Sequence, residues 1–268
     1  MKRLLRLARK VRSRLLYKSF QPKECMLKHV SYRGASFVVP LNEDIGWRLV
    51  NIREYEEDEI CCLEGIVRDD DLCVDVGGNI GIYSVFMARK ASAGKVVAFE
   101  PIPINRKMLA LNLALNNLDN VEIMDCVLSD TTGDVSFSVS KDSAYSSMRP
   151  TNRKEESCSL QVRSRTFDEL FASKGIKVGI VKVDVEGAEL LVLRGAARLL
   201  SDPAIRPRAV LVELSVENQS AYGYHPGDVV RYMRTVGYDA YCIKGPGLLK
   251  GWPHRGCGED VLFMPHAK

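Results

Sequence analysis

A glycine-rich turn between an apolar segment and a helical pattern constrains the fold of this chain more than any other feature. Residues 72–76 are mostly apolar and predict a buried strand, and residues 82–90 follow with helical spacing. In the turn, Gly77 and Gly81 permit positive φ angles and close backbone approach, and the helix start offers free N–H donors. The sequence therefore predicts a strand–turn–helix unit that binds a small, nucleotide-like ligand.

Short apolar segments alternate with helical patterns after this turn, as a doubly wound parallel sheet requires. The predicted strands cover 72–76, 96–99, 121–128, 180–185 and 209–214, and the predicted helices cover 82–90, 104–116, 189–200 and 228–236. The fold class is therefore α/β, with helices on both faces of a mostly parallel sheet.

Two further segments are predicted to add β-structure to this core. The apolar runs 239–243 and 260–264 are expected to form a hairpin at the sheet edge. Residues 131–165 interrupt the alternation, and their turn and period-two pattern predict an inserted β-hairpin with a mobile polar loop at 143–156.

The charge of the chain is distributed unevenly. Residues 1–18 carry eight Lys and Arg and no acid, whereas residues 19–268 carry 30 basic and 34 acidic side chains. The mildly acidic body argues against a broadly basic nucleic-acid-binding surface.

A length of 268 residues suffices for one large domain, and no segment approaches the ~20 apolar residues that span a bilayer.

Residues 1–18 also carry apolar residues at helical spacing and predict a basic amphipathic helix. Three interpretations stay open: the helix packs on its own domain, makes a peripheral contact with an anionic membrane surface, or is a cleaved targeting segment.

We divide the chain into an N-terminal extension at 1–59, with this helix and a β-like segment, and a main domain at 60–268. The acidic run at 54–59 is expected to form a solvated helix face.

Eight cysteines are scattered along the chain without a Cys-x-x-Cys pair or a histidine at zinc-finger spacing, so no structural metal is expected. Cys73 and Cys126 lie in apolar, strand-like segments, where a free cysteine behaves as a small hydrophobic residue. We therefore expect reduced thiols and a cytoplasmic protein, with a membrane-peripheral location as the alternative.

Acidic residues near the ends of the first three predicted strands favour a ligand that contains an adenosine and a positively charged group. Asp75 precedes the turn, whose Gly-x-Asn-x-Gly spacing matches neither the dinucleotide fingerprint nor the phosphate loop. Glu100 ends the second strand, where a carboxylate accepts both ribose hydroxyls and repels a 2′-phosphate. Asp125, followed by Cys126, ends the third, where it can accept the adenine amino group. A tight turn without a ligand and a plain strand-end acid are the structural alternatives.

A second group of acids follows the fourth and fifth predicted strands. Asp184 is placed at the carboxyl edge of the sheet, where ligands bind in open α/β sheets, and Glu186 and Glu189 begin the next helix. Glu213 ends the fifth strand and faces the same crevice. For Glu189 the alternative is that it only stabilises the helix dipole.

A later loop, with Tyr222, Tyr224 and His225, can close over a substrate. For His225 a structural role at a helix start is favoured.

Four motifs occur in order along residues 60–245. They are Asp-Val-Gly-Gly-Asn-Ile-Gly at 75–81, Ala-Phe-Glu-Pro at 98–101, Arg-Thr-Phe-Asp-Glu-Leu at 165–170 and Lys-Val-Asp-Val-Glu-Gly-Ala-Glu at 182–189. Together they resemble the FkbM family of methyltransferases. The resemblance implies a Rossmann-like class I fold with a seven-stranded sheet, S-adenosylmethionine as methyl donor, and a hydroxyl acceptor on a sugar, glycan or secondary metabolite.

The resemblance also suggests roles for individual residues. Gly77, Gly78, Asn79 and Gly81 resemble the cofactor loop, Glu100 resembles the ribose ligand, and Asp184 and Glu186 resemble the active-site edge. Family members often have Ala in place of Gly78. Many of them also have a His near the position of Ser215 or Val216, and this chain has no His there. A histidine base at that position is therefore in doubt.

Methyl transfer to a hydroxyl requires the acceptor oxygen in line with the methyl and the sulfur, ~3 Å from the methyl carbon. The hydroxyl also loses its proton, and Asp184 is our first candidate base, followed by Glu186 and Glu213, with His225 as an outside choice. The same carboxylates can instead stabilise the sulfonium or hold a divalent metal, although no metal is assigned.

Other functions fit the sequence less well. A nucleotide-dependent oxidoreductase lacks the dinucleotide fingerprint and a Tyr-x-x-x-Lys pair, and a nucleic-acid amino-methyltransferase lacks an Asp/Asn-Pro-Pro-aromatic tetrad. The main alternative is a non-catalytic cofactor-binding or scaffold protein with the same fold.

The expected partner is a small-molecule or glycan acceptor and not a nucleic acid. Specificity for the acceptor is expected to arise from 131–165, 219–227 and the N-terminal extension.

Overall fold

The N-terminal part of the chain forms a hairpin and two helices that pack against the main sheet. The computed structural model describes residues 26–149, 155–245, 247–253 and 258–267, so the predicted helix and membrane contact at 1–18 lie outside the described residues. The first elements are β1 (Leu27–Tyr32), β2 (Ala35–Pro40), α1 (Asp44–Trp47), a π-helical turn (Arg48–Ile52) and α2 (Glu57–Ile66). Asn112, fully buried on a later helix, holds β2 by accepting from Val38 N and donating to Val38 O.

The next elements alternate between strand and helix, as the sequence predicts. They are β3 (Leu72–Val76), α3 (Ile82–Lys90), β4 (Lys95–Phe99), α4 (Pro103–Leu115) and β5 (Val121–Met124). The predicted strand at 121–128 is interrupted at 125–126, and its end forms the separate β6 (Val127–Leu128). This break occurs because Val127 and Leu128 pair with an inserted strand and not with the main sheet.

The inserted segment forms a hairpin, as predicted. Its strands are β7 (Gly133–Ser140) and β8 (Glu156–Arg165), which pair antiparallel, with a short 3₁₀ helix (Ser143–Tyr145) between them. The described part of the expected mobile loop is packed against the body. Ser147, only 2% exposed, donates to the carbonyl oxygen of Glu186 at 2.9 Å.

The last part of the chain completes the sheet. Its elements are α5 (Phe167–Leu170), β9 (Ile180–Val183), α6 (Glu189–Arg194), α7 (Ala197–Ser201), β10 (Ala209–Glu213), α8 (Val216–Ser220), α9 (Pro226–Thr235), β11 (Tyr238–Lys244), β12 (Gly247–Lys250) and β13 (Asp260–Pro265). The single helix predicted at 189–200 is divided into α6 and α7 near Gly195. At this break the carbonyl oxygen of Gly195 accepts from Asp168 N at 2.9 Å, and a Cβ at Gly195 would lie 2.0 Å from the carbonyl oxygen of Ser129.

Eight strands form the main sheet within the described residues, in the order β12-β11-β13-β10-β9-β3-β4-β5. The five from β10 to β5 are parallel, and β13 lies antiparallel between β10 and β11. The family resemblance implies seven strands, and the described sheet has eight, of which the short β12 lies at the edge. The strand order reverses beside β3, and this is the point where open α/β sheets bind ligands.

Two hydrophobic cores cover the two faces of this sheet. Alternate residues of β3 enter different cores, with Val74 and Val76 in one and Cys73 in the other. Helices α6, α7 and α9 contribute to the first core, and α2, α3 and α4 contribute to the second together with β2. The predicted arrangement of helices on both faces is thus confirmed. None of the helices in the described ranges has both the length and the apolarity to cross a membrane.

One expectation about the cysteines is wrong. Cys61, Cys62, Cys73, Cys126 and Cys158 are free thiols, and Cys73 and Cys126 are buried as predicted. Cys242 on β11, however, is disulfide-bonded. Cysteine spacing along a chain does not reveal which sulfurs meet in the fold, so the sequence offered no signal for this bond.

The turn after β3 yields a test of the fold with a matched control. Gly77 has a φ of 84° and a Cβ there would lie 1.9 Å from the carbonyl oxygen of Asp184, whereas Gly78 has no positive φ and its Cβ would lie 3.1 Å from a terminal methyl group of Leu109. We expect Gly77→Ala to lower the free energy of unfolding by about 2 kcal/mol or more, and Gly78→Ala by less than about 1 kcal/mol. Urea unfolding measures both, and equal losses would contradict this account.

Candidate active site

The glycine turn forms one end of a cavity at the carboxyl edge of the sheet. The N–H groups of Gly77 and Gly78 both donate to the carbonyl oxygen of Phe99, at 3.0 and 2.9 Å, which ties the turn to the adjacent β4. Gly77, Asn79 and Gly81 all have positive φ angles, and Gly81 caps the start of α3. Gly77, Gly78 and Asn79 line the cavity, so the predicted loop faces a space large enough for a ligand.

Glu100 lies beside this turn, as its predicted role requires. Its Oε2 accepts from the N–H of Asn79 and its Oε1 from the N–H of Ile102, both at 2.8 Å, and the residue is only 4% exposed. Burial raises the pKa of Glu100 to about 7, although these backbone donors oppose the rise. The carboxylate lines the cavity next to the loop, where ribose hydroxyls are expected.

Three of the predicted acids converge at the other side of the same cavity. Asp184, Glu186 and Glu213 each place a carboxylate oxygen within 4.8 Å of the others. Asp184 follows β9, and its N–H donates to Val76 O on the adjacent β3. Glu186 has a left-handed backbone and accepts from Asn218 Nδ2 at 2.7 Å. We call Asp184, Glu186 and Glu213 the acid cluster.

Glu213 differs from the other two members of the acid cluster in its surroundings. Its Oε2 is enclosed by protein and receives no hydrogen bond. Burial, followed by the charges of Asp184 and Glu186, raises the pKa of Glu213 well above its usual range. Glu213 is therefore the member whose negative charge is least compensated by its neighbours.

Lys182 is an important residue of the site that the sequence reasoning missed. It lies on β9 with 4% exposure, and its ammonium is 2.9 Å from Asp184 Oδ2 and 4.5 Å from the centre of the Tyr83 ring. Burial disfavours the ammonium, but Asp184, Asp75 and Glu56 hold the pKa of Lys182 above its usual range. A lysine in the middle of an otherwise apolar strand was the available signal, because such a residue requires buried partners.

The acidic run at 54–59 is not the solvated helix face that we expected. Its Glu56 lines the cavity and accepts from the Tyr83 hydroxyl at 2.7 Å. Burial and the nearby Asp184 raise the pKa of Glu56. Tyr55 also lines the cavity, beneath the guanidinium of Arg48 at 4.7 Å from the ring centre. The N-terminal extension thus forms a wall of the site, which a charge pattern read along the chain cannot show.

Three residues that we predicted to bind cofactor, Asp75, Gly81 and Asp125, are not among the residues that line the cavity. Asp75 is fully buried below the turn and accepts from Ser84 Oγ at 2.6 Å, and burial raises its pKa. Asp125 is exposed at the end of β5, whereas its neighbour Cys126 is buried and lines the cavity.

The remaining candidates have structural contacts. Glu189 is 1% exposed and accepts from Gly187 N at 3.0 Å and from Gln219 Nε2 at 3.1 Å. His225 forms a capping box with Asp228 at the start of α9 and is exposed to solvent. These contacts agree with the structural alternatives that we left open for both residues.

The cavity measures ≈ 1380 Å³ and is strongly acidic. Among the described residues, its lining contains thirteen acidic side chains and two basic ones, Arg48 and Lys182. Such a field favours a positively charged ligand and disfavours a pyrophosphate. The volume is sufficient for a nucleoside-sized ligand together with a second small molecule.

Comparison with known proteins agrees with this geometry. Residues 75–240 match the family model described as the Methyltransferase FkbM domain. The chain is 33% identical over 209 residues to the hexuronic acid methyltransferase AglP of Haloferax volcanii, covering 78% of this chain and 79% of that protein. It is also 33% identical over 152 residues to methyltransferase sdnD of Sordaria araneosa, covering 46% of this chain and 59% of that protein.

Among solved structures, the FkbM methyltransferase of Methylobacillus flagellatus KT aligns with a TM-score of 0.49 at 19% identity, covering 75% of this chain and 45% of that chain. The family predicted from the four motifs is confirmed by the family match and by the identity to AglP. The chain belongs to the FkbM family of S-adenosylmethionine-dependent methyltransferases.

Proposed function

We propose that this enzyme transfers a methyl group to a hydroxyl of a sugar, glycan or secondary metabolite. The observation that carries the proposal is the acid cluster, whose three carboxylates meet within 4.8 Å in the cavity that also contains the glycine turn and Glu100. The relative named as a hexuronic acid methyltransferase supports a sugar acceptor.

The residues of the cavity fit S-adenosylmethionine. Bound there, the cofactor supplies an electrophilic methyl group on a sulfonium. The backbone of Gly77, Gly78 and Asn79 lines the cavity and allows a ligand to approach closely, and Glu100 offers carboxylate oxygens for the ribose hydroxyls. Cys126 lines the cavity beyond Glu100, on the side where we place the adenine. The acidic lining balances the positive sulfur.

The acid cluster then serves the acceptor. Its carboxylates can orient the hydroxyl by accepting its hydrogen bond and can receive the proton that leaves as the oxygen–carbon bond forms and the carbon–sulfur bond breaks. Lys182 holds Asp184 in place through the 2.9 Å ion pair. Asp184 and Glu213 are on the ends of neighbouring parallel strands, so their positions are set by rigid backbone.

Cofactor affinity tests the part of Glu100 as the ribose ligand. Glu100→Ala should weaken S-adenosylmethionine binding by at least ~10-fold, because charge-assisted hydrogen bonds to both hydroxyls are lost. Glu122→Gln, which alters an exposed acid on β5, is the matched control and should leave affinity unchanged. Isothermal titration calorimetry measures both, and equal affinity of Glu100→Ala and wild type would refute the ribose assignment.

Glu100 also predicts a pH dependence of cofactor affinity. The ionised carboxylate accepts two hydroxyl hydrogen bonds, and the protonated form loses acceptor capacity. With its pKa raised to about 7, affinity should fall as the pH decreases through that value and level off above it. Titrations in buffers across this range should show the dependence in wild type, and Glu100→Gln should abolish it. A wild-type affinity that stays flat would contradict the prediction.

Turnover tests the part of Asp184 as the proton acceptor. Asp184→Asn should bind cofactor normally but methylate ~10² to 10⁴ times more slowly, because the variant loses a proton acceptor and its charge. The acceptor is first identified by mass spectrometry of hexuronic acids, neutral sugars and cell extracts incubated with methyl-labelled cofactor. If the variant retains the full rate, the role belongs to Glu186 or Glu213. If no hydroxyl compound is labelled, the proposed function is wrong.

A further inference from the structure

We propose that the acid cluster binds a divalent cation of the Mg²⁺ class beside the acceptor oxygen. The proposal rests on the proposed function only for the position of the acceptor. Binding of the ion itself follows from Asp184, Glu186 and Glu213 and from their surroundings.

The distances within the cluster suit such an ion. Each member offers a carboxylate oxygen, and these oxygens lie within 4.8 Å of one another. Two oxygens on opposite sides of an ion are separated by twice the metal–oxygen distance, which is about 4.2 Å for Mg²⁺ and about 4.6 to 5.2 Å for Ca²⁺. Neighbouring ligands of one ion lie closer together than opposite ones, so inward side-chain rotations would bring the three carboxylates from separations of up to 4.8 Å onto one ion.

An independent observation is the enclosed Oε2 of Glu213. This oxygen has no hydrogen-bond donor, and it belongs to a carboxylate that lies within the acid cluster. Lys182 contacts the cluster through Asp184 Oδ2, and Asn218 contacts it through Glu186 Oε2. The nearby Gln219 donates to the backbone carbonyl of Glu213 and not to its carboxylate. An unpaired buried carboxylate oxygen is costly, and a cation at this point supplies the missing partner.

The charges around the cluster leave room for an ion. Of the two basic side chains that line the cavity within the described ranges, Arg48 is paired with Asp44 at 3.7 Å and stacked on Tyr55. Only Lys182 reaches the cluster, and one ammonium opposes three carboxylates. The ligand set contains oxygen alone, with no His or Cys, which favours Mg²⁺, Mn²⁺ or Ca²⁺ over Zn²⁺ and Cu²⁺.

A cation in this position would change how the acceptor is activated. An acceptor hydroxyl bound to the ion loses its proton more readily, because the ion stabilises the oxyanion. The proton leaves to water, the oxygen–carbon bond forms as the carbon–sulfur bond breaks, and the electron pair of that bond goes to sulfur. The cluster would then act as a set of ligands that positions the oxygen.

The test measures Mn²⁺ binding to the full-length protein by electron paramagnetic resonance, without cofactor or acceptor. Wild type should bind Mn²⁺, and added Mg²⁺ should displace it. Glu213→Gln and Asp184→Asn should each raise the Mn²⁺ dissociation constant at least ~10-fold, because each removes an anionic ligand. Glu217→Gln changes an exposed acid at the same cavity and should leave the constant unchanged. Normal S-adenosylmethionine affinity in all variants would show that they are folded.

Two results would overturn the proposal. One is absence of Mn²⁺ binding by wild type up to about 1 mM, and the other is equal binding by wild type and both cluster variants. Methyl transfer is measured separately after treatment with EDTA. Full activity there would refute the part of the ion in methyl transfer and leave the proposed function intact, whereas Mn²⁺ binding without any methylated acceptor would refute the function and leave the ion site intact.

Discussion

The pairing of β3 with β9 is the constraint on which the site depends. Asp184 N donates to Val76 O at 3.0 Å, and the missing side chain of Gly77 lets the carbonyl oxygen of Asp184 come close to the turn. The cofactor turn and the acid cluster are therefore neighbours at one sheet edge. Any residue with a Cβ at Gly77 would push apart the two strand ends that together form the site.

The charges at this edge of the sheet determine which ligands the cavity favours. Lys182 is surrounded by Asp184, Asp75 and Glu56, and it faces the Tyr83 ring. This buried ammonium links the strand below the glycine turn, the acid cluster and the wall formed by the N-terminal extension. Its charge is shared among several acids, so the cavity keeps a negative field. That field is suited to a sulfonium and, as we propose, to a metal ion.

Much of this architecture could be predicted because its signals are local. The turn at Gly77 and the strand-end acid Glu100 follow directly from residue type and spacing, and the helix at 82–90 has the predicted bounds. The failures involve contacts between distant segments. Glu56 lies in a run that looks solvated, but it meets Tyr83 on another helix. Cys242 forms a disulfide that spacing does not reveal.

Local sequence was enough to specify the α/β class, the glycine turn and the family, because apolar periodicity and motif spacing act over a few residues. Only the folded arrangement decided which acids share a cavity. It buried Asp75 below the turn, left Asp125 at the surface, and brought Glu213 to Asp184. The physical reason is that the position of a side chain at a sheet edge depends on strand order and register, which arise from packing across the whole domain.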